Sequence, residues 1–495
     1  MFKRNKYLVI ITALSLAIYI LLLLFGPSKT EYPFTDFTKT DIYQYIRTES
    51  EKLKLPPFSP EGDISIDTIA NNSIGRYVEK NQFNKDQLAL LQQEVPLYSI
   101  EISADKQVYQ INPVTGQLTM ASGIQMPISG QNGIDKFVKS YFGEEYVSQT
   151  KEVPDNGVFE DWDQKYVFTA PTSLNDVTKV IEIYTSNNVI VKFQHFGEAN
   201  EFPLTNAEES VWAFITFIST ILFLAVLCII VTVQLIKRLI KKQIKNFIWP
   251  FLLSAIAGFG WFFLTSATGS SITGIGALQP AVMTYLTFAT LLIRWKKSTE
   301  NQASNILEWK NSIFQGFLLM LICFTLTELF YFIAGFFGTW TSPVTDHAPL
   351  INVNPWILPF FALFIGLSAA ISEEAIFRKY MIPFFDRFSV VASVILTSFF
   401  WGILHLGYDV YPWHLRLIEF MIIGGPFFYF VYKKFGFKAG IFCHYFNNSF
   451  FTSLFLFRVD MKVATVALIL TISPLLILLL KTQYQETRIK ERSIT

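Results

Sequence analysis

The sequence predicts a mostly α-helical fold: a polytopic membrane domain of about ten transmembrane helices, with an extracytoplasmic α+β domain inserted after the first of them. Three observations lead there. The 495 residues are 51% hydrophobic and only 16% charged, with 50 phenylalanines, which excludes disorder and argues against an ordinary soluble enzyme. One long polar stretch, residues 28–208, separates a single apolar run from a series of later ones. Within that series two adjacent glutamates, Glu373 and Glu374, sit beside Arg378 in greasy surroundings. An ionised carboxylate at bilayer depth costs roughly 2.5–3.5 kcal/mol, so such a cluster reads by default as a functional site with the arginine as partner.

The elements follow in order. Met1–Tyr7 is basic through Lys3, Arg4 and Lys6, and Leu8–Phe25 is continuously apolar. The run is long, and Gly26-Pro27-Ser28 lacks a small-x-small cleavage site, so residues 1–27 read as an uncleaved anchor with a cytoplasmic N-terminus. Residues 28–208 read as the α+β domain. Thr38–Leu55 suggests an amphipathic helix, and Ile134–Phe142 a second one. Tyr98–Ser103 and Gln107–Ile111 alternate in period two around Ala104-Asp105-Lys106. Val180–Tyr184 and Val189–Phe193 do the same around Ser186-Asn187-Asn188, a turn former. Two helix-plus-hairpin units suggest a weak internal repeat. Asn112-Pro113-Val114-Thr115-Gly116 loosely resembles a segment of bacterial PepSY-type modules, and a plain turn explains it as well.

From Val211 onward the apolar runs fall at about 211–236, 247–268, 272–294, 313–338, 356–378, 389–406, 415–432, 437–456 and 462–480. Residues 209–300 would be accessory helices, 301–482 the domain that carries the chemistry, and 483–495 a cytoplasmic tail. Lys237, Arg238, Lys241, Lys242 and Lys245 follow one span, and Arg294, Lys296 and Lys297 another. Arg378, Lys379 and Arg387, then Lys433 and Lys434, then Lys481, Arg488, Lys490 and Arg492 complete the set. All fall on one side when the spans alternate, which makes that side cytoplasmic and the inserted domain extracytoplasmic. The expected location is a cell membrane, with both termini in the cytoplasm. Net charge is +1, and nothing points to nucleic acid. The three cysteines, Cys228, Cys323 and Cys443, lie in apolar runs without metal-site spacing and read as packed thiols. This, with the acidic outer domain, points to a bacterial chain.

Three polar pairs share one-turn spacing on three different apolar segments: Glu374 with Arg378, Trp401 with His405, and His444 with Asn448. Glu373 points about 100° away from Glu374 by helical period, so one carboxylate can be an ion-pair strut while the other stays available for chemistry. Together they form a hydrolase kit. Glu373 would take a proton from water, His405 would orient that water or shuttle its proton, and His444 with the Asn448 amide would donate to the oxyanion. Taken singly, each has a duller reading. The carboxylates and Arg378 could cap the cytoplasmic end of a helix, and His405 could be an interface histidine. His444 and Asn448 could make an interhelical packing bond, worth about 0.6 kcal/mol. His195, His347 and His414 read as surface residues.

These residues resemble the motifs of the CPBP family, the CAAX proteases and bacteriocin-processing enzymes also called Abi. The matching pattern is Glu373-Glu374-x-x-x-Arg378, an aromatic-x-x-x-His ending at His405, and His444-x-x-x-Asn448. The likeness spans roughly residues 313–480. It implies a multi-pass intramembrane endopeptidase of the hydrolase class, historically grouped with metalloproteases. Glu373, His405, His444 and Asn448 would be catalytic, with Glu374, Arg378 and Trp401 supporting. Two residues depart from the pattern. Trp401 stands where the family usually has phenylalanine, and Lys379 where it often has glycine.

No cofactor is expected, although zinc, held by Glu373, His405 and His444, is the alternative that the family label suggests. No His-Glu-x-x-His occurs in the chain. Tyr408-Asp409 lacks a Gly-x-Gly-Asp partner, so an aspartyl mechanism is disfavoured. The expected partners are a peptide or membrane-protein substrate and the bilayer, with a peptide or protein ligand for the outer domain. The competing reading is a catalytically silent scaffold or immunity protein whose outer domain binds a peptide. A proton-coupled transporter is a third, without visible inverted repeats. One difficulty stands. If the Glu373 span ends at Arg378, straight upright helices hold Glu373 and His405 at opposite faces of the bilayer. Either that helix continues toward Phe385, or a helix is broken or tilted.

Overall fold

The computed structural model describes residues 5–25, 39–55, 64–104, 107–128, 130–152, 162–174, 176–202, 206–244, 246–267, 275–295, 302–341, 354, 356–406, 410–457 and 460–479. Helix α1 (Lys6–Phe25) is followed by the outer domain, whose elements are α2 (Lys39–Leu53), β1 (Ile64–Ala70), α3 (Asn72–Lys80), α4 (Lys85–Glu94), β2 (Tyr98–Ala104), β3 (Gln107–Ile111), β4 (Leu118–Pro127), α5 (Gly130–Tyr141), β5 (Val147–Glu152), β6 (Gln164–Pro171), β7 (Val177–Ser186) and β8 (Val189–Ala199). Both expected helices and both expected hairpins are present. Asn187 and Asn188 take φ of +53° and +63°, the left-handed pair that a two-residue hairpin turn needs and asparagine tolerates. The first hairpin's turn residues Asp105 and Lys106 lie outside the described residues, as do Gly26-Pro27-Ser28, His347, Tyr408-Asp409 and the tail 483–495.

The strands form one eight-stranded sheet in the order β1-β2-β3-β4-β8-β7-β6-β5, every described pairing being antiparallel. Each half is a four-stranded meander, and the halves join at β4–β8. Inward residues alternate along β3 and β6, and Ile42 and Ile46 of α2 with Ile134 and Val138 of α5 cover that face beside Ile100, Tyr109, Ile183 and Phe193. A smaller core holds α3 and α4 at one end of the sheet, through Ile74, Val78, Leu88 and Leu91 against Tyr98, Val177 and Ala199. Asn71 caps α3 by accepting from Ile74 N at 3.0 Å, and donates to the Gly197 carbonyl at 2.8 Å. The Asn112–Gly116 segment is a closed turn. Asn112 is buried, its Oδ1 accepts from Val114 N at 2.8 Å, and Gly116 sits at φ +71°. That fits the structural reading of this motif.

The membrane domain comprises α6 (Asn206–Ile240), α7 (Ile248–Ala267), α8 (Ile275–Arg294), α9 (Gln302–Gly335), the short strand β9 (Trp340–Thr341), α10 (Leu358–Phe385), α11 (Val390–Ile403), the short strand β10 (Val410–Tyr411), α12 (Leu415–Phe435), α13 (Phe437–Leu456) and α14 (Met461–Leu479). Seven helices of the described chain are long and apolar enough to cross a membrane: α1, α6, α7, α9, α10, α12 and α14. The three other expected spans are weaker. α11 has only 14 residues, and α13 is diluted by Lys438, His444, Asn447 and Asn448. Strands β9 and β10 pair and join the loops that follow α9 and α11.

One expectation is corrected here. His195 is not a surface residue: it is 8% exposed on β8, and its Nε2 lies 2.9 Å from the Tyr146 hydroxyl. His414 is half-buried against Trp413. Burial, aided by the positive charge of Lys179, pushes the His195 imidazole from 6.5 down to about 4. The folded value lies below the unfolded one, so acid favours the unfolded chain. The stabilisation is full above about pH 6.5 and is lost as the pH falls toward 4, a swing of roughly 3 kcal/mol. Limited proteolysis of the intact protein should therefore open the outer domain more readily across that window. His195→Gln should flatten the dependence.

Candidate active site

The continuity of α10 decides the geometry. It runs unbroken from Leu358 to Phe385, 28 residues, so Glu373 and Glu374 lie mid-helix and not at its end. Of the two ways out of the sequence-level difficulty, the longer helix is the one adopted. Its α-helical part ends at Glu373, and Glu374–Met381 is π-helical before Ile382–Phe385 resumes the α form. Inserted π turns shift the angular positions of side chains and are frequent at functional sites. Here the segment begins at the second glutamate.

Glu374 is fully buried and takes the structural part. Its Oε1 lies 3.1 Å from His444 Nδ1 and 3.5 Å from Arg378 Nε. Arg378, 2% exposed, lays its guanidinium 3.7 Å from the centre of the Trp401 ring and 4.9 Å from that of Phe428. Both Arg378 Nη atoms are buried without a hydrogen-bond partner among the described residues, and the ring faces of Trp401 and Phe428 lie against that end of the cation. Gly440 on α13 makes room for the carboxylate: a Cβ there would stand 2.9 Å from Glu374 Oε2.

Glu373, 6% exposed, faces a different set. Its Oε2 accepts from Trp401 Nε1 and lies 3.6 Å from His444 Nε2. His444 thus bridges the two carboxylates, one at each ring nitrogen. An ionised carboxylate only accepts, which puts a hydrogen on Nδ1 facing Glu374. The Trp401 ring is the hub, with centroids 5.6 Å from His405, 5.7 Å from His444 and 5.4 Å from Phe428. His405 follows the end of α11, half-buried, with Nδ1 2.9 Å from the Trp401 carbonyl and its ring stacked on Phe420 at 4.3 Å. A carbonyl only accepts, so the neutral ring carries its lone pair on Nε2. Glu373 and His444 are both within electrostatic reach of His405.

Six of the seven expected residues therefore converge: Glu373, Glu374, Arg378, Trp401, His405 and His444. Asn448 stands one turn beyond His444 on α13, half-buried, with Oδ1 3.3 Å from Asn447 Nδ2, and does not join the ion cluster. Lys379 points away, its ammonium over the rings of Trp295 at 4.4 Å and Phe437 at 4.2 Å. Phe420 and Phe428 escaped the sequence reading because nothing distinguishes them among fifty phenylalanines. Glu419 was findable as an ionisable residue in an apolar run. It is buried, paired with Arg416, and accepts from the Tyr331 hydroxyl at 2.7 Å. Among the described residues no group of three His, Cys, Asp or Glu side chains is placed to hold a metal ion.

The fold and site define a multi-pass membrane protein with a buried carboxylate–imidazole centre. Residues 355–450 match the family described as Rce1-like, type II CAAX prenyl endopeptidase. The match takes in every residue of the cluster and is in line with the CPBP resemblance. The outer domain and α1 to α9 lie outside it. No curated protein and no solved structure matches the chain.

Removing Glu374 strands a buried arginine. Glu374→Ala should cost about 3–5 kcal/mol, seen as a lowered thermal midpoint in detergent, whereas Glu374→Gln, which keeps an acceptor for His444, should cost less.

Proposed function

We propose that the protein is an intramembrane endopeptidase that hydrolyses a peptide bond in a membrane-associated protein or peptide. The observation that supports this most is the division of labour between the two glutamates: Glu374 is committed to Arg378 and His444, while Glu373 faces Trp401, His444 and the side from which His405 approaches. Glu373 takes a proton from water as the hydroxide adds to the scissile carbonyl, then returns it to the leaving amine as the C–N bond breaks. His405 orients that water through the Nε2 lone pair. His444 donates to the oxyanion, and the Asn448 amide nitrogen is the second donor. One such donor is worth about 3–4 kcal/mol in the transition state. The bacterial origin expected from the sequence favours unprenylated substrates.

The reading is tested by comparing membrane proteomes and released peptides from cells carrying wild-type and Glu373→Ala protein. Cleavage should fall by about 10²–10⁴ at equal protein level, and His405→Ala should also impair it. Full activity in either variant would eliminate the mechanism. The silent-scaffold alternative draws on the tie between Trp401 and Glu373, which occupies one oxygen of the proposed base. It requires an intact phenotype in Glu373→Gln and a lost one when the outer domain is deleted.

A further inference from the structure

The two ends of the site differ in access. On the side of Glu374, the cluster is closed by Arg378, Phe377, Tyr380, Phe428 and Cys443, each at most 2% exposed. The half-buried residues His405 and Asn448 are displaced the other way. The structure itself says which way that is. Helix α13 runs alongside α9 in the same direction: Lys438 pairs with Glu308 at 3.0 Å, Phe442 meets Trp309, Phe446 meets Phe317, and Phe451 meets Phe324. Helix α9 leads into Trp340 of β9, and α11, past His405, leads into Tyr411 of β10. The outer domain sits on that pair. Arg76 of α3 lies 3.6 Å from the Tyr411 ring centre and 4.3 Å from that of Phe202, at the end of the outer domain. Gly75 packs so closely on Trp340 that a Cβ would stand 2.4 Å from the indole.

We propose that the catalytic centre is reached from the face that carries the outer domain, beside the β9–β10 seat, and that its substrates are polypeptides presented at the extracytoplasmic membrane surface. This rests on the endopeptidase reading and narrows its substrate class, since a cytoplasmic C-terminus would meet the closed side. Arg76, Tyr411, Trp340 and Gly75 then fix the outer domain at the entrance, where it borders any incoming chain.

The test is thiol labelling of the full chain by a membrane-impermeant methanethiosulfonate, applied to intact cells and to inside-out vesicles. The background is Cys228→Ser, in which the remaining thiols Cys323 and Cys443 are buried. His405→Cys and Asn448→Cys report on the site. Leu90→Cys, exposed on the outer domain, and Phe388→Cys, exposed in the α10–α11 turn, mark the two faces. Labelling of either site cysteine in intact cells, together with Leu90→Cys, is expected. Labelling only with Phe388→Cys, or none from the Leu90 face, would overturn the proposal. The readout needs no activity, so a failed endopeptidase reading, with Glu373→Ala fully active, is distinguishable from a failed access route.

Discussion

The structure depends on keeping Glu374, Arg378 and His444 together where water is scarce. A carboxylate and a guanidinium removed from water each lose solvation that only close partners return. Glu374 meets this with an arginine from its own helix and an imidazole from α13, and the glycine at 440 lets the two helices approach at that level. The arginine in turn lies against Trp401 of α11, so α10, α11 and α13 are tied by one electrostatic knot. Much of the surrounding packing, including Phe428 on α12, shields it.

That knot leaves the neighbouring carboxylate in a different environment at almost the same depth. Glu373 has no arginine within ion-pair distance among the described contacts; it has an indole N–H and the far nitrogen of the same histidine. Two adjacent glutamates thus acquire different roles through the helix they share and its passage from α to π geometry between them. His444 couples the two, so the arrangement that holds the fold also fixes the surroundings of Glu373.

The outer domain is more than an appendage to an anchor. Its double meander has its own cores, yet α3 reaches down to the β9–β10 seat through an arginine held between aromatic rings. Cation–π contacts of this kind are worth more when desolvated and fix orientation as well as proximity. The seat lies in the loop that follows His405, so the placement of the domain and the surroundings of the site are mechanically connected.

The sequence by itself separated an apolar first helix, a sheet-bearing N-terminal region and a later series of apolar helices, because hydrophobic runs and period-two alternation are local properties. It also singled out the polar residues of the site, because charges in apolar runs are conspicuous. It left the end of α10 open between Arg378 and Phe385, because Arg378 and Lys379 look like a membrane boundary, and packing against α8, α11 and α13 decides that the helix carries on. His195 looked like a surface residue because a lone histidine in a strand gives no sign of the face it occupies until the sheet is assembled. The π segment, the hub position of Trp401, the separation of Asn448 from the ion cluster and the seat of the outer domain were decided by tertiary structure alone. Each depends on which groups from distant helices arrive at the same point, and a buried polar group's partners are set by that arrival and not by its neighbours in the chain.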